Sequence, residues 1–174
     1  TFAGGADDDA LVNTGTIVGT LVFGGDRQLD ASGNLQPISV LSDDGADSLL
    51  NSGSVVGIVF NGGADDDVLL NLPGATVAGS LVFTGDDGAD LLRNEGLAAS
   101  LVFNGGADDD ILINSASGIA QISFGGDSGI DTLYNQGAVT TLVFTGGADD
   151  DLLLNTGSGI ATLRFSGGSD DDVL

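Results

Sequence analysis

Hydrophobic and polar positions recur together along this chain at intervals of mostly 20 or 21 residues. Counting starts at an aromatic residue: Phe2, Phe23, Val40 in place of an aromatic, Phe60, Phe83, Phe103, Phe124, Phe144 and Phe165. Two places before each later one stands Leu or Ile, as in Leu81, Leu101 and Ile122. Seven places after stands Asp, nine after stands Leu (Ser32 being the exception), and eleven after stands Asn. The marks alternate with period two around the aromatic and again around Leu-x-Asn, as strands do. No 3.6-residue period is sustained and glycine interrupts every repeat, so helices are not expected.

The pattern predicts an all-β fold, a parallel β-solenoid (β-helix or β-roll) with 20–21 residues per coil and eight to nine stacked coils. Equivalent strands should pair at a spacing of about 4.8 Å. Residues 1–174 read as a single repeat segment, part of a longer repeat protein. The two irregular intervals, around Pro37 and Pro73, are assigned to the return path between coils. The Asn column is expected to form a side-chain amide ladder inside the rod. The glycines just after it (Gly15, Gly53, Gly96, Gly137, Gly157) are expected in turns of positive φ. With Leu and Asn inward, the positions eight and ten after the aromatic face outward, and they are largely apolar: Val68, Leu70, Leu91, Ile111, Ile113, Leu152 and Leu154. Such stripes suggest lateral or end-to-end self-association, although strand propensity alone also favours these residue types.

Charge changes the picture. The chain has 26 Asp+Glu against 3 Lys+Arg, a formal net charge of -23, yet 41% hydrophobic residues and positive mean hydropathy. Acidity and hydrophobicity must be segregated in space, and 25 of the 26 acids fall in the turn after the aromatic, Glu95 alone lying elsewhere. The charge disfavours nucleic acid and anionic membranes as partners, and no apolar run is long enough for membrane insertion. Without Cys or His, thiolate and imidazole metal sites are excluded. Stacked carboxylates about 4.8 Å apart repel by roughly 1 kcal/mol in water and about 3.5 kcal/mol at an effective dielectric of 20. Ca²⁺ would compensate them, taking oxygens from carboxylates and glycine-rich turns. The alternative is a solvated acidic edge tolerated through screening.

Two turn types alternate from the third coil to the eighth. One reads Gly-Gly-Ala-Asp-Asp-Asp, as at Gly62–Asp67; the other carries glycine two places before the fixed Asp, as in Gly85-Asp86-Asp87-Gly88-Ala89-Asp90. A calcium site between coils would combine one of each. The candidate ligands are Asp7, Asp9, Asp30, Asp43, Asp47, Asp65, Asp67, Asp86, Asp90, Asp108, Asp110, Asp127, Asp131, Asp149, Asp151, Asp170 and Asp172.

Gly85–Leu92 and Gly126–Leu133 resemble the RTX nonapeptide G-G-x-G-x-D-x-U-x. The resemblance implies calcium held between successive turns, with Asp47, Asp90 and Asp131 as ligands, and by register Asp9, Asp67, Asp110, Asp151 and Asp172. The chain departs from that pattern in its Gly-Gly-Ala-Asp-Asp-Asp turns and in carrying one motif per coil. The wider repeat, clearest at Asn13–Phe23, is similar to bacterial cell-surface β-helix proteins such as autotransporter passengers and adhesins.

Catalysis is not expected. There is no His or Lys, three Arg are scattered, and the carboxylates repeat uniformly where an active site would break the repeat. The expected function is an extracellular, bacterial cell-surface structural rod, stabilised by Ca²⁺, that assembles into a surface layer, fibre or matrix. The alternative is the stalk or passenger of an adhesin whose binding tip lies outside this segment.

Overall fold

The computed structural model describes residues 1–3, 7–24 and 45–174. Within them the chain winds as a parallel β-solenoid with a long and a short strand per coil. The long strands form an eight-stranded sheet: β1 (Phe2–Ala3), β3 (Thr16–Gly24), β5 (Ser54–Gly63), β7 (Thr76–Asp87), β9 (Leu97–Ala107), β11 (Ile119–Ser128), β13 (Val139–Ala148) and β15 (Thr162–Gly168). The short strands form a seven-stranded sheet: β2 (Ala10–Asn13), β4 (Ser48–Asn51), β6 (Val68–Asn71), β8 (Leu91–Asn94), β10 (Ile111–Asn114), β12 (Thr132–Asn135) and β14 (Leu152–Asn155). Each strand pairs in parallel with its equivalent one coil away, so Phe60, Phe83 and Phe103 are direct neighbours, as are Asn71, Asn94 and Asn114.

Side chains alternate as the period-two pattern predicts. In β6 Leu69 and Asn71 are buried while Val68 and Leu70 are half-buried on the outer face. Phe60, Phe83 and Phe103 form a column with ring centroids 4.7 and 4.8 Å apart and nearly parallel planes. Toward the later coils the Phe124–Phe144 pair tilts to 48°. The Leu or Ile column two places earlier and the Leu column of the short sheet complete the core between the sheets.

The Asn ladder is present. Each side-chain amide donates to Oδ1 of the next coil's Asn, from Asn13 through Asn51, Asn71, Asn94, Asn114 and Asn135 to Asn155, over 2.7–2.8 Å. None of the glycines just after it adopts the expected positive φ, and all but Gly15 need their lack of a side chain for a different reason. A Cβ on Gly53 would collide with the Gly15 backbone, and one on Gly137 with the carbonyl of Ala116. Close approach between coils requires glycine there, and backbone handedness does not.

The coil count also differs from expectation. The rod makes about six turns instead of eight to nine. β3 pairs directly with β5 and β2 directly with β4, so Phe23 stacks on Phe60 at 5.0 Å and Asn13 bonds to Asn51. Asp47, Leu49 and Asn51 therefore complete the coil opened by Phe23. The expected core positions Val40 and Asn34 lie outside the described residues.

This packing sets a test. Phe103→Ala should destabilise the rod by about 3–5 kcal/mol, and the half-buried neighbour Val102→Ala should cost well under half as much. Equilibrium denaturation followed by far-UV circular dichroism measures both, and equal losses would show that the column is not the core.

Candidate functional site: the acidic corner

The acidic turn joins each long strand to the following short strand, and two populations of carboxylate, one buried and one exposed at positive φ, stand out in it. The first is the Asp seven places after the aromatic. Asp47, Asp67, Asp90, Asp110, Asp131 and Asp151 are buried, and the terminal members Asp9 and Asp172 are half-buried. They form a second inward ladder beside the Asn ladder. The backbone N–H of each Asp donates to Oδ1 of the Asp one coil on: Asp9 to Asp47 at 2.8 Å, Asp67 to Asp90 at 2.8 Å, Asp90 to Asp110 at 2.8 Å, Asp110 to Asp131 at 2.9 Å, and Asp131 to Asp151 at 2.8 Å. Asp47 and Asp151 donate in the same way to Asp67 and Asp172.

The other carboxylate oxygen lies against a glycine of its own turn. A Cβ on Gly85 would collide with Oδ2 of Asp90, and one on Gly105 with that of Asp110. In Asp90, Asp110, Asp131 and Asp151 this Oδ2 is buried and has no hydrogen-bond partner. Burial disfavours the ionised form and pushes Asp90, Asp110 and Asp131 up to about 7 from 3.8. The backbone N–H opposes the shift, and neighbouring carboxylates add to it. Asp151 is raised for the same first reason.

The second population is exposed. Asp7, Asp65, Asp86, Asp108, Asp127, Asp149 and Asp170 all have positive φ, between 68° and 86°. Every coil of this region needs positive φ twice, three and five places after its aromatic. In one turn type the first is Gly63 (126°) and the second Asp65 (68°); in the next the first is Asp86 (86°) and the second Gly88 (113°). Stacking explains the exchange. A Cβ on Gly88 would collide with the backbone of Asp65, and one on Gly106 with that of Asp86. Asp tolerates the left-handed conformation better than most residues, and glycine supplies the clearance above it. The alternation of turn types is thus a packing solution.

A third set escaped the sequence reading. Asp8, Asp66, Asp109 and Asp150 accept, through Oδ1, the backbone N–H of Ala46, Ala89, Ile130 and Asp171 one coil on, over 2.7–3.1 Å. The available signal is the Ala or Ile that faces Asp66 and Asp109 at the same position of the following coil.

Calcium takes about six to eight oxygens. In the buried ladder one carboxylate oxygen accepts a backbone N–H and the other is enclosed by glycine, so that column does not fit a coordinated calcium ion. No group of three or more acidic side chains among the described residues is placed to hold a metal. Asp30 and Asp43 lie outside the described residues. Comparison with protein-family models, curated proteins and solved structures finds no match for this chain.

Two predictions follow from the two populations. Asp108→Gly and Asp108→Asn should keep stability, while Asp108→Val should lose about 1–2 kcal/mol through left-handed strain; equal losses would mean that the carboxylate matters more than the backbone. In the buried ladder, pKa values of about 7 for Asp90, Asp110 and Asp131 stand above the unfolded value of 3.8. Their stabilising contribution is full below the unfolded value and is lost as pH rises through about 7. Thermal melts should therefore fall from pH 4 to pH 8, and Asp110→Asn should flatten that fall; a melting temperature that rises over this range would contradict the burial argument.

Proposed function

We propose that this chain is a structural segment, a rigid β-solenoid rod that serves as scaffold or spacer in an extracellular bacterial surface layer, fibre or matrix. The observation that carries this reading is that each repeated residue class has a role in building the rod. Phe, Leu and Ile fill the core, Asn and Asp form inward ladders, and glycine gives clearance between coils. The acids repeat with the coils, so charge is spread along one edge and not gathered at a point.

In this reading the coil-to-coil ladders and the core hold the rod without a coordinated metal. Cations act by screening the exposed edge, and the half-exposed aliphatic columns of the short sheet supply the contacts for assembly. Circular dichroism in chelator at about 0.15 M salt separates this mechanism from a calcium-dependent one. The β signal should be present before calcium is added and change little afterwards. Loss of that signal in chelator, with recovery on adding calcium but not sodium, would replace screening with specific coordination.

A further inference from the structure

The two outer faces of the rod differ. The long-sheet face carries one half-buried column of Val22, Val59, Val82, Val102 and Val143 between small and hydroxylic side chains such as Ser80, Ser100, Thr84 and Thr145, with Ser100 donating to Ser80 at 2.9 Å. The short-sheet face carries two outward columns of mostly large apolar side chains, broken by Ser48, Arg93 and Thr132, in which Leu70, Arg93 and Ile113 are successive neighbours, as are Leu91 and Ile111. Val12 is 59% exposed, Ile111 40% and Leu154 45%.

The margins of this face are unlike each other. The acidic turns enter the short strands along one side, with Asp65, Asp66, Asp108 and Asp109 exposed. Along the other side the chain leaves at the Asn corner through Ser52, Leu72, Ser115, Gln136 and Thr156, where among the described residues Glu95 is the one acid and is paired with Arg93. Arg93 is the only cation in the outward columns of the described short strands.

We propose that the short-sheet face is a contact surface for a second copy of this chain, packed face to face with the two rods parallel. The inference rests on the assembly reading above and specifies its geometry. The face suits its own copy because of where the charges stand. A two-fold axis along the strands would reverse one rod and bring the two acidic margins together. A two-fold axis along the rod keeps both rods in the same direction. It sets each acidic margin beside the partner's nearly uncharged Asn-corner margin and brings Arg93 over the partner's acidic turns. Coulomb repulsion between like margins therefore selects parallel rods.

Six coil steps of about 4.8 Å and four residues of about 3.3 Å give roughly 400 Å² per copy. That is about half of what a stable complex covers, so the dimer is weak. It strengthens with salt as repulsion between the two acidic bodies is screened.

The chain has no cysteine, so single introduced cysteines carry unambiguous labels. In sedimentation equilibrium the full chain should gain mass with concentration, more steeply in 0.5 M than in 0.05 M salt, values chosen to span roughly a threefold change in screening length. Leu70→Lys combined with Ile113→Lys should leave a monomer with unchanged circular dichroism, and Arg93→Glu should weaken association at least about tenfold. Thr145→Lys, on the other face, should leave it unchanged. Dipolar distances between spin labels at Thr156→Cys in both copies should be shorter than those between Thr14→Cys and Thr156→Cys. The reverse order overturns the parallel geometry while leaving assembly standing. A monomer at millimolar concentration in high salt, or dimer loss in Thr145→Lys alone, overturns the contact surface itself. A folded, monomeric rod leaves the scaffold reading intact, so the two failures are distinguishable.

Discussion

Two inward polar ladders of this rod are held by hydrogen bonds from each coil to the next. The Asn amide donates to the next Asn, and the Asp N–H donates to the next Asp carboxylate. A buried donor or acceptor left unanswered costs about 1–3 kcal/mol, so a coil that lacks a neighbour is poor and a coil between two neighbours is good. Both ladders run in the same direction, donor toward acceptor from the first coil to the last. Stability is therefore a property of adjacency, as expected for a stack of units that cannot bury their faces alone.

The same adjacency governs charge. The formal value of -23 counts every carboxylate as ionised. Burial raises Asp90, Asp110, Asp131 and Asp151 above the usual carboxylate range, because water is excluded from them. Inside the corner the problem of like charges is relieved by neutralisation; outside it is relieved by water and screening. One short turn thus contains two electrostatic regimes separated by two residues, as in Asp108 and Asp110.

Much of the frame was legible in the sequence. The Phe, Leu and Asn columns, the parallel pairing and the outward positions followed from period-two alternation, because apolar side chains announce which side is inside. From the sequence, the Asp column reads as calcium ligands in the acidic turn, with a solvated acidic edge as the alternative, and its burial is not foreseen. Its parity says otherwise: Asp67, Leu69 and Asn71 are spaced by two, so a strand that buries the last two also buries the first. The alternating turns were read through ion chemistry. Their cause is a backbone handedness and a clearance between coils, and neither is visible until Gly88 is seen to lie over Asp65. The glycines of the Asn corner carried the same ambiguity, since a glycine in sequence does not distinguish positive φ from close approach.

The pairing of β3 with β5 and of β2 with β4 has a consequence for how the repeat is defined. Phe23 and Asp47 belong to one coil although 23 residues stand between them in the chain, residues 24–46. A coil is recognised by its partners above and below and not by the length of chain that closes it. Register is thus carried by contacts between coils: across that interval Phe23 still stacks on Phe60, Asp9 still donates to Asp47, and Asn13 still donates to Asn51.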